Sequence, residues 1–501
     1  MAVFTMNEIA KIVGGKILQG DGNREIEKFS TNSKEGDDRT LFVPVIGERV
    51  DAHDFIGNAY ENGMRCTFTM RDEIVDDTDD MTYIKVDQSV AALQMVGADY
   101  RARFTDLPLI GITGSVGKTT TKEMIAAALE TKKCVLKTDK NMNSQVGLPQ
   151  MMARIEEKHE IAVIEMGMSE FGEMKRLCDV AKPNFAVMTN IGVSHIGQLK
   201  TQENIRSEKA NICNHFTKDS VLLVNGDDRL LRELYDVFEN PKTTDKEKTQ
   251  LIDTMNLSAE TLNKLKEAKI ATFGTDCECT VYATEIETVG ESTRFMYNYT
   301  DRDGIKKQEA IELSVLGLHN VLNALAALYI ADYYGIEPKI AKEGLKAYQP
   351  ISMRGGIEKV NEITVIDDTY NASPDSMKGA INILLELPKE NRKIIVFADI
   401  LELGEISESC HYEVGEYLAN HSLNDGKSPK SIDVVITIGE EAKFIAKAVK
   451  EHNAAIEVHS FATKEEAGEC IQQVLQPKDA ILFKGSRGMK LEVLVNLVKK
   501  G

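Results

Sequence analysis

A glycine-rich segment, residues 113–119, has the clearest chemical meaning in this sequence. It lies between an apolar run at 107–112 and a helix predicted over 121–132. At a strand-to-helix turn of this kind, backbone N–H groups at the helix N-terminus face the phosphates of a nucleotide. We therefore predict an ATP-binding loop formed by Thr113, Gly114, Ser115, Val116, Gly117, Lys118 and Thr119.

Two side chains of this loop suit phosphate chemistry. Lys118 supplies a point charge, and the hydroxyl of Thr119 is a ligand that Mg²⁺ accepts. The usual loop would need glycine at position 112, where this chain has Ile112. A turn with an incidental lysine is the alternative, but strand, loop and helix agree on a phosphate site.

Glu165 ends the next apolar strand pattern, 161–166. In open α/β sheets, ligands bind beyond the carboxyl ends of the strands, so Glu165 is expected in the same crevice as Lys118. A carboxylate there is a candidate metal ligand. The alternative is a solvated glutamate, and the pairing with the loop favours the metal ligand.

His195 and Lys209 follow the strand predicted at 185–190. An isolated histidine is more often structural than a ligand, but a position beside a phosphate site makes metal coordination a competing interpretation for His195. Lys209 lies in a helical stretch, where spacing alone favours an exposed lysine.

Two later strand ends carry polar residues that suit a ligand. Asp368 and Asn371 follow the strand at 364–367, although turns rich in Asp and Asn are common. Lys484, Ser486 and Arg487 follow the strand at 480–483 and could donate to a carboxylate or phosphate.

These residues need parallel sheets to bring them together. Strand patterns alternate with helical patterns from residue 105, which predicts a parallel sheet with helices on both faces, and a second α/β unit follows the Gln349–Pro350 pair. Residues 1–104 mix strand and helix signals. We predict domains at 1–104, 105–349 and 350–501, with polar insertions at 240–268 and 422–430.

Composition narrows the partners and the location. The 501 residues carry a formal net charge of −19, which argues against a nucleic-acid partner. No apolar stretch approaches the roughly 20 residues that span a bilayer. The N-terminus lacks a signal-peptide pattern, and eight dispersed cysteines suggest reduced thiols. We expect a cytoplasmic protein with no membrane insertion.

Taken together, the motifs resemble the Mur ligase family of ATP-dependent amide-bond ligases, over essentially the whole chain. Beyond the loop, the resemblance rests on Asn-Met-Asn-Ser-Gln-Val-Gly at 141–147, Glu-Met-Gly at 165–167 and Gly-Leu-His-Asn at 317–320. It continues with Met-Arg-Gly at 353–355, Asp-Asp-Thr-Tyr-Asn-Ala-Ser-Pro at 367–374 and Lys-Gly-Ser-Arg at 484–487.

The resemblance implies an α/β fold of three domains: an N-terminal α/β substrate domain, a central P-loop-type parallel-sheet ATPase domain and a C-terminal Rossmann-like domain. It implies an enzyme, expected to be a monomer, that joins D-alanyl-D-alanine to the tripeptide of a UDP-N-acetylmuramoyl precursor. ATP would phosphorylate the tripeptide carboxylate, and the dipeptide amine would attack the acyl phosphate.

The resemblance also assigns roles to residues. Lys118, Glu165, His195 and Lys209 would be catalytic, and Mg²⁺ would be held by Thr119, Glu165 and His195. Lys209 aligns with a lysine that is carbamylated in several members. Nucleotide contacts would come from Asn320, Arg354 and Asp368, and substrate contacts from Ser33, Asn143, Asn371, Ser486 and Arg487.

The first domain departs from the family pattern. The family's Thr-Asp-Ser-Arg reads Thr-Asn-Ser-Lys at 31–34, and Asp-Gly-His reads Asp-Ala-His at 51–53. Lys34 cannot reproduce the bidentate contact of an arginine. A paralogous ligase for another acid and amine therefore stays open, as does a nucleotide-binding scaffold without catalysis. The third residue of the tripeptide, lysine or diaminopimelate, is left undecided.

Overall fold

A computed structural model describes residues 3–47, 49–74, 78–388, 391–421 and 431–500. Its larger sheets each draw their strands from one of the three predicted segments. The predicted mixed α/β class is confirmed. Residues 422–430, predicted to be an insertion, lie outside the described part of the chain.

The first segment contains a mixed five-stranded sheet. One edge strand is antiparallel to its neighbour, and the other strands run parallel. In sheet order the strands are Lys16–Gln19, Thr82–Lys85, Cys66–Thr69, Thr40–Phe42 and Lys28–Ser30, with a separate pair formed by Phe4–Thr5 and Glu25–Ile26. The α-helices are Met6–Val13, Ile56–Glu61 and Ser89–Ala102.

The central segment contains a nine-stranded sheet. Its first seven strands are parallel, and each of the last two is antiparallel to the strand before it. In sheet order the strands are Val135–Lys137, Ile161–Glu165, Leu109–Thr113, Phe185–Met188, Val221–Asn225, Lys269–Gly274, Val281–Val289, Ser292–Thr300 and Lys306–Leu313. The α-helices are Lys118–Glu130, Gly147–Met152, Glu173–Ala181, Ile196–Leu199, Gln202–Ala210, Arg229–Phe238, Asp245–Met255, Ala259–Glu267, Leu318–Tyr333 and Pro338–Ala347.

The third segment contains a six-stranded sheet that is parallel except for one edge strand. In sheet order the strands are Gly356–Val360, Ile363–Asp368, Ala480–Lys484, Lys393–Ala398, Val434–Ile438 and Glu457–Phe461. The α-helices are Pro374–Glu386, Ser407–His421, Lys443–His452, Lys464–Val474 and Glu492–Lys500.

The parallel strands have the apolar composition of strands covered on both faces. Every residue of Leu109–Thr113, Ile161–Glu165 and Phe185–Met188 is buried. Helix Lys118–Glu130 lies on one face and packs against helix Leu318–Tyr333. This arrangement brings the carboxyl ends of the three strands to one edge, where parallel α/β sheets bind ligands.

Helix Ser89–Ala102 joins the first segment to the central one. It packs against helix Gly147–Met152 so closely that a Cβ at Gly97 would lie 2.8 Å from the Cα of Pro149. One hydrophobic core includes side chains of both segments, such as Phe4 and Met151. The first segment is therefore fixed to the central one by shared apolar packing.

The polar stretch at 240–268 is mostly helical. Its two helices each bury an apolar side chain completely, Met255 on the first helix and Leu265 on the second. Ser207, on the helix that carries Lys209, donates a hydrogen bond of 2.6 Å to the backbone oxygen of Asn256. The stretch thus supports one side of helix Gln202–Ala210. Across the described residues, no helix combines the length and apolarity that crossing a membrane requires.

Candidate functional site

The glycine-rich loop is held open by the neighbouring strand end. The backbone N–H of Ser115 donates to the backbone oxygen of Asn190 at 3.0 Å, and the N–H of Val116 donates to the Asn190 side chain at 2.8 Å. A Cβ at Gly114 would lie 1.9 Å from the Thr189 hydroxyl oxygen. The backbone needs glycine there, and the resulting loop leads directly into helix Lys118–Glu130.

Two lysines converge on this loop. Lys118 Nζ and Lys209 Nζ both donate to the backbone oxygen of Gly114, at 2.8 and 3.0 Å. The expectation of an exposed Lys209 is wrong, since it is only 1% exposed beneath the loop. Burial and the neighbouring Lys118 lower the pKa of Lys209 well below its usual range. Burial also lowers the pKa of Lys118, and Arg354 adds to this shift. An anion would relieve the repulsion between these cations.

Glu165 faces the loop as the strand-end argument predicted. Its carboxylate accepts hydrogen bonds from Thr119 Oγ1 at 2.9 Å and from Asn143 Nδ2 at 2.7 Å. Its backbone N–H donates to Thr138 Oγ1 at 2.8 Å, and the residue is 2% exposed. The carboxylate is therefore fixed at the first turn of the loop helix.

The donor set at this position suits Mg²⁺ in part. Mg²⁺ takes one or two protein oxygens and completes its shell with water and substrate phosphates. Thr119 and Glu165 supply two such oxygens in contact with each other. Within the described ranges, no three His, Cys, Asp or Glu side chains form a group that could hold a metal. The residues fit a metal that is shared with a bound nucleotide.

His195 lines the same cavity as the loop and contacts the third segment. Its Nδ1 is 2.9 Å from Oε2 of Glu402. Burial lowers the pKa of the His195 imidazole. The charges of Lys209 and Lys118 lower this pKa further, whereas Glu402 raises it. The imidazole therefore favours its neutral form, which is the form that binds metals.

The third segment adds a second group of polar residues. Lys484 Nζ lies 2.5 Å from Asp368 Oδ2 and donates to the backbone oxygen of Asn371 at 3.0 Å. The Arg354 guanidinium lies over the ring of Tyr370, 3.8 Å from its centroid. Arg354, Asp368 and Lys484 line the same cavity as the loop.

One cleft of about 670 Å³ contains most of the predicted site. It is lined by residues of the central and third segments, among them Ser115, Val116, Gly117, Lys118, Thr119, Asn143, Glu165, His195, Asn320, Arg354, Asp368 and Asn371. Thr113, Gly114 and Lys209 lie behind its wall and do not line it.

Three predicted substrate-binding residues lie outside this cleft, and their side chains are engaged elsewhere. The Ser486 hydroxyl accepts from the backbone N–H of Leu401 at 2.9 Å, and Arg487 pairs with Glu492 at 3.0 Å. Ser33 donates to Asn58 Oδ1 at 2.9 Å. Their predicted roles stay predictions.

A second cleft, of about 960 Å³, lies between the first and central segments. Its walls include Lys28, Asn32, Gln150 and Arg154, whereas Ser33 does not line it. Ser144 lines both clefts, so the two meet at that residue.

Sequence reasoning missed Asn323 and Glu402. Asn323 accepts from Thr121 Oγ1 at 2.8 Å, lines the first cleft and, within the described chain, has no partner for its buried Nδ2. Its place one helical turn after Asn320 was a usable signal. Glu402 follows strand Lys393–Ala398, so the strand-end rule could have found it.

Comparison with known families agrees with this architecture. Residues 112–252 match the Mur ligase middle domain, and residues 355–487 match the glutamate ligase domain of Mur ligases. A curated relative, the UDP-N-acetylmuramoyl-tripeptide–D-alanyl-D-alanine ligase of Bacillus subtilis (strain 168), is 34% identical over 98% of this chain and 97% of its own.

The chain belongs to the Mur ligase family. Among solved Mur ligases, a crystal structure of MurF from Acinetobacter baumannii superposes with a TM-score of 0.83 at 28% identity, covering 100% of both chains. MurF from Thermotoga maritima in complex with ADP gives a TM-score of 0.75 at 27% identity, over 94% of this chain and 97% of that one. The three-domain Mur ligase architecture that the resemblance implied is confirmed.

Proposed function

We propose that this chain is the ATP-dependent ligase that adds D-alanyl-D-alanine to UDP-N-acetylmuramoyl-tripeptide in peptidoglycan precursor synthesis. Full-length similarity to curated ligases with this activity supports the assignment. The observation that carries it is the first cleft, where Lys118 and Glu165 of the central segment face Asp368 of the third.

The glycine loop suits the ATP phosphates. Among the described residues, no side chain caps the N-terminus of helix Lys118–Glu130, which leaves its first backbone N–H groups for phosphate oxygens, and Lys118 adds a positive charge. The Asn323 side-chain nitrogen, which has no hydrogen-bond partner among the described residues, and the nearby Asn320 offer polar groups for the rest of the nucleotide. Thr119 and Glu165 would hold Mg²⁺, with His195 at a second ion; bound Mg²⁺ would neutralise phosphate charge.

The proposed reaction has two steps. A carboxylate oxygen of the tripeptide attacks the γ-phosphorus of ATP, which breaks the bond to ADP and gives an acyl phosphate. The amine of D-alanyl-D-alanine then attacks the acyl carbon, loses a proton and expels phosphate. The protein's part is to position the reactants and to neutralise charge, and Lys118 suits both tasks.

Lys209 suits the role that its family position implies. Burial and Lys118 lower the pKa of Lys209, which raises the fraction of neutral amine, and the neutral amine is the form that reacts with CO₂ to give a carbamate. The resulting carboxylate would turn a cation beside Lys118 into an anion able to hold Mg²⁺.

The second cleft suits the UDP-linked end of the precursor. It lies between segments 1–104 and 105–349, which we propose as the substrate domain and the ATP-binding domain, with 350–501 as the third domain. Since the two clefts meet at Ser144, one extended substrate could reach from the uridine end to the loop. We propose a monomer acting in the cytoplasm.

A product assay tests this function. The full chain is incubated with ATP, Mg²⁺, D-alanyl-D-alanine and UDP-N-acetylmuramoyl-tripeptide ending in lysine or in diaminopimelate. We expect a pentapeptide product by mass spectrometry, with one phosphate released per amide formed. Absence of product with both tripeptides would contradict the assignment and favour a ligase for another acid and amine.

A further inference from the structure

The contact between His195 and Glu402 joins two segments across the first cleft. Glu402 lies on the loop after strand Lys393–Ala398 of the third segment, and its Oε2 is 2.9 Å from His195 Nδ1. The Glu402 side chain is 60% exposed. An exposed carboxylate adds little stability even when its partner is charged, and a neutral imidazole would add less, so this contact is better suited to orienting the imidazole than to holding the segments together.

The backbone is unusual at both ends of this contact. His195 has φ of 62° and Glu402 has φ of 67°, which lie in the left-handed region that residues other than glycine rarely adopt. Such conformations persist where surrounding structure enforces them, and they cluster at functional sites.

The two loops also approach each other through glycine. A Cβ at Gly197 would lie 3.2 Å from the backbone oxygen of Glu402, and one at Gly404 would lie 3.5 Å from the Gly197 Cα. The Ser486 hydroxyl fixes the third-segment loop by accepting from the N–H of Leu401. The close packing at Gly197 and the hydrogen bond at Leu401 therefore fix the backbone of Glu402 beside His195.

The contact determines which ring nitrogen of His195 carries the proton. A carboxylate only accepts, so Nδ1 must be the N–H and Nε2 keeps its lone pair. Among the described residues, none hydrogen-bonds to Nε2, and the ring lines the cleft. Histidines that bind metals characteristically donate their other N–H to a carboxylate in this way.

We propose that Glu402 is a positioning residue for His195: it accepts a hydrogen bond from the Nδ1–H, leaves the Nε2 lone pair free toward the cleft, and does so only while the third segment is docked on the central one as in this structure. The part that concerns Mg²⁺ rests on the proposed function, and the tautomer does not. Docking of the two segments would thereby prepare His195 as a ligand.

Histidine NMR tests the tautomer directly. The full chain is labelled with ¹⁵N-histidine and recorded at about pH 8, above the ordinary histidine pKa, without nucleotide and with ADP alone. The His195 signal is assigned by its loss in His195→Asn. We expect protonated Nδ1 and unprotonated Nε2, changing to protonated Nε2 in Glu402→Ala. Protonated Nε2 in the unmodified chain under both conditions would overturn the proposal.

The Mg²⁺ requirement supplies an independent readout. We expect Glu402→Ala to raise the Mg²⁺ concentration for half-maximal turnover by about 10- to 100-fold, the usual cost of losing a partner of a metal ligand. KM for ATP should not change. Glu402→Gln should recover part of the loss, since its amide oxygen still accepts from Nδ1.

The matched control is Glu405→Ala. Glu405 is an exposed acid on the same loop, with no hydrogen bond or ion pair to any described residue. We expect its variant to keep both the His195 spectrum and the Mg²⁺ requirement. If Glu402→Ala behaved like Glu405→Ala in both measurements, the proposal would be wrong. An unmodified chain without ligase turnover would instead contradict the proposed function.

Discussion

The phosphate loop and the first segment differ in how their polar groups are used. At the loop, Lys118 and Glu165 lie on one cleft wall. In the first segment, Ser33 and Asp51 are engaged with near neighbours, Asn58 and His53, and Ser33 lies off the second cleft. A short motif can therefore predict a site that is formed by one strand-to-helix turn. The residues that line a cleft between two segments depend on how those segments dock, which a motif does not record.

Replacing Lys118 gives the largest expected effect and tests the loop side of this contrast. Lys118→Ala should lower kcat by about 10²- to 10³-fold, the usual cost of removing one group that stabilises developing charge. Steady-state phosphate release measures it.

Lys132→Ala is the control for Lys118→Ala. Lys132 is exposed and follows the far end of the same helix. Equal turnover in the two variants would contradict the proposed role of Lys118 in stabilising the phosphoryl group.

Replacing Gly97 disturbs the docking of the first segment and leaves the loop intact. The added methyl of Gly97→Ala would lie 2.8 Å from Pro149. Overpacking of this kind costs about 1–3 kcal/mol, so thermal unfolding should begin at lower temperature. KM for the UDP substrate should rise while ADP affinity stays the same.

Ala91→Ser, on the exposed side of the same helix, is the matched control and should leave unfolding unchanged. If Gly97→Ala weakened ADP binding as much as UDP-substrate binding, the two clefts would not be separable.

Replacing Arg154 and Ser33 in turn tests whether the lining of the second cleft or the family motif better predicts the residues that bind the UDP substrate. Arg154 lines this cleft, half exposed beside Asp139, whereas Ser33 does not. Arg154→Ala should raise KM for the UDP substrate about tenfold, the loss of one charge-assisted hydrogen bond. Ser33→Ala should change it much less. The opposite order would favour the motif-based prediction for Ser33.

Asp51 gives the smallest effect, and it depends on pH. Burial raises the pKa of Asp51, but hydrogen bonds from His53 and Arg71 outweigh burial and lower the pKa from 3.8 to about 2. A depressed carboxyl pKa stabilises the fold above the unfolded value and loses that effect as pH falls toward the folded one.

Asp51→Asn should therefore destabilise the chain at neutral pH, and the difference from wild type should shrink below pH 3.8. Urea unfolding at several pH values measures it. A difference that grew toward low pH would contradict the assigned contacts.

Much of the fold was predictable because apolar strands and helices alternate in the sequence. Strand Ala480–Lys484 lies where the apolar pattern at 480–483 predicted a strand, and Glu165 lies in the crevice at the end of its own strand, as predicted. These features depend on local periodicity and on the geometry of parallel sheets.

What could not be predicted depends on distant packing. Lys209 is buried because its helix runs beneath the loop, which no local pattern records. The strand-end rule could place Glu402 at the edge of its own sheet, but its contact with His195 depends on how the third segment docks on the central one. Ser33 has the family's residue type, yet its hydroxyl is turned to Asn58.

In the proposed function, the first cleft activates a peptide carboxylate with ATP. The most direct test uses UDP-N-acetylmuramoyl-tripeptide whose terminal carboxylate carries ¹⁸O on both oxygens, together with ATP, Mg²⁺ and D-alanyl-D-alanine. We expect one ¹⁸O atom in each released phosphate and one in each new amide, because the attacking oxygen leaves with the phosphoryl group. Phosphate without ¹⁸O during amide formation would contradict carboxylate phosphorylation.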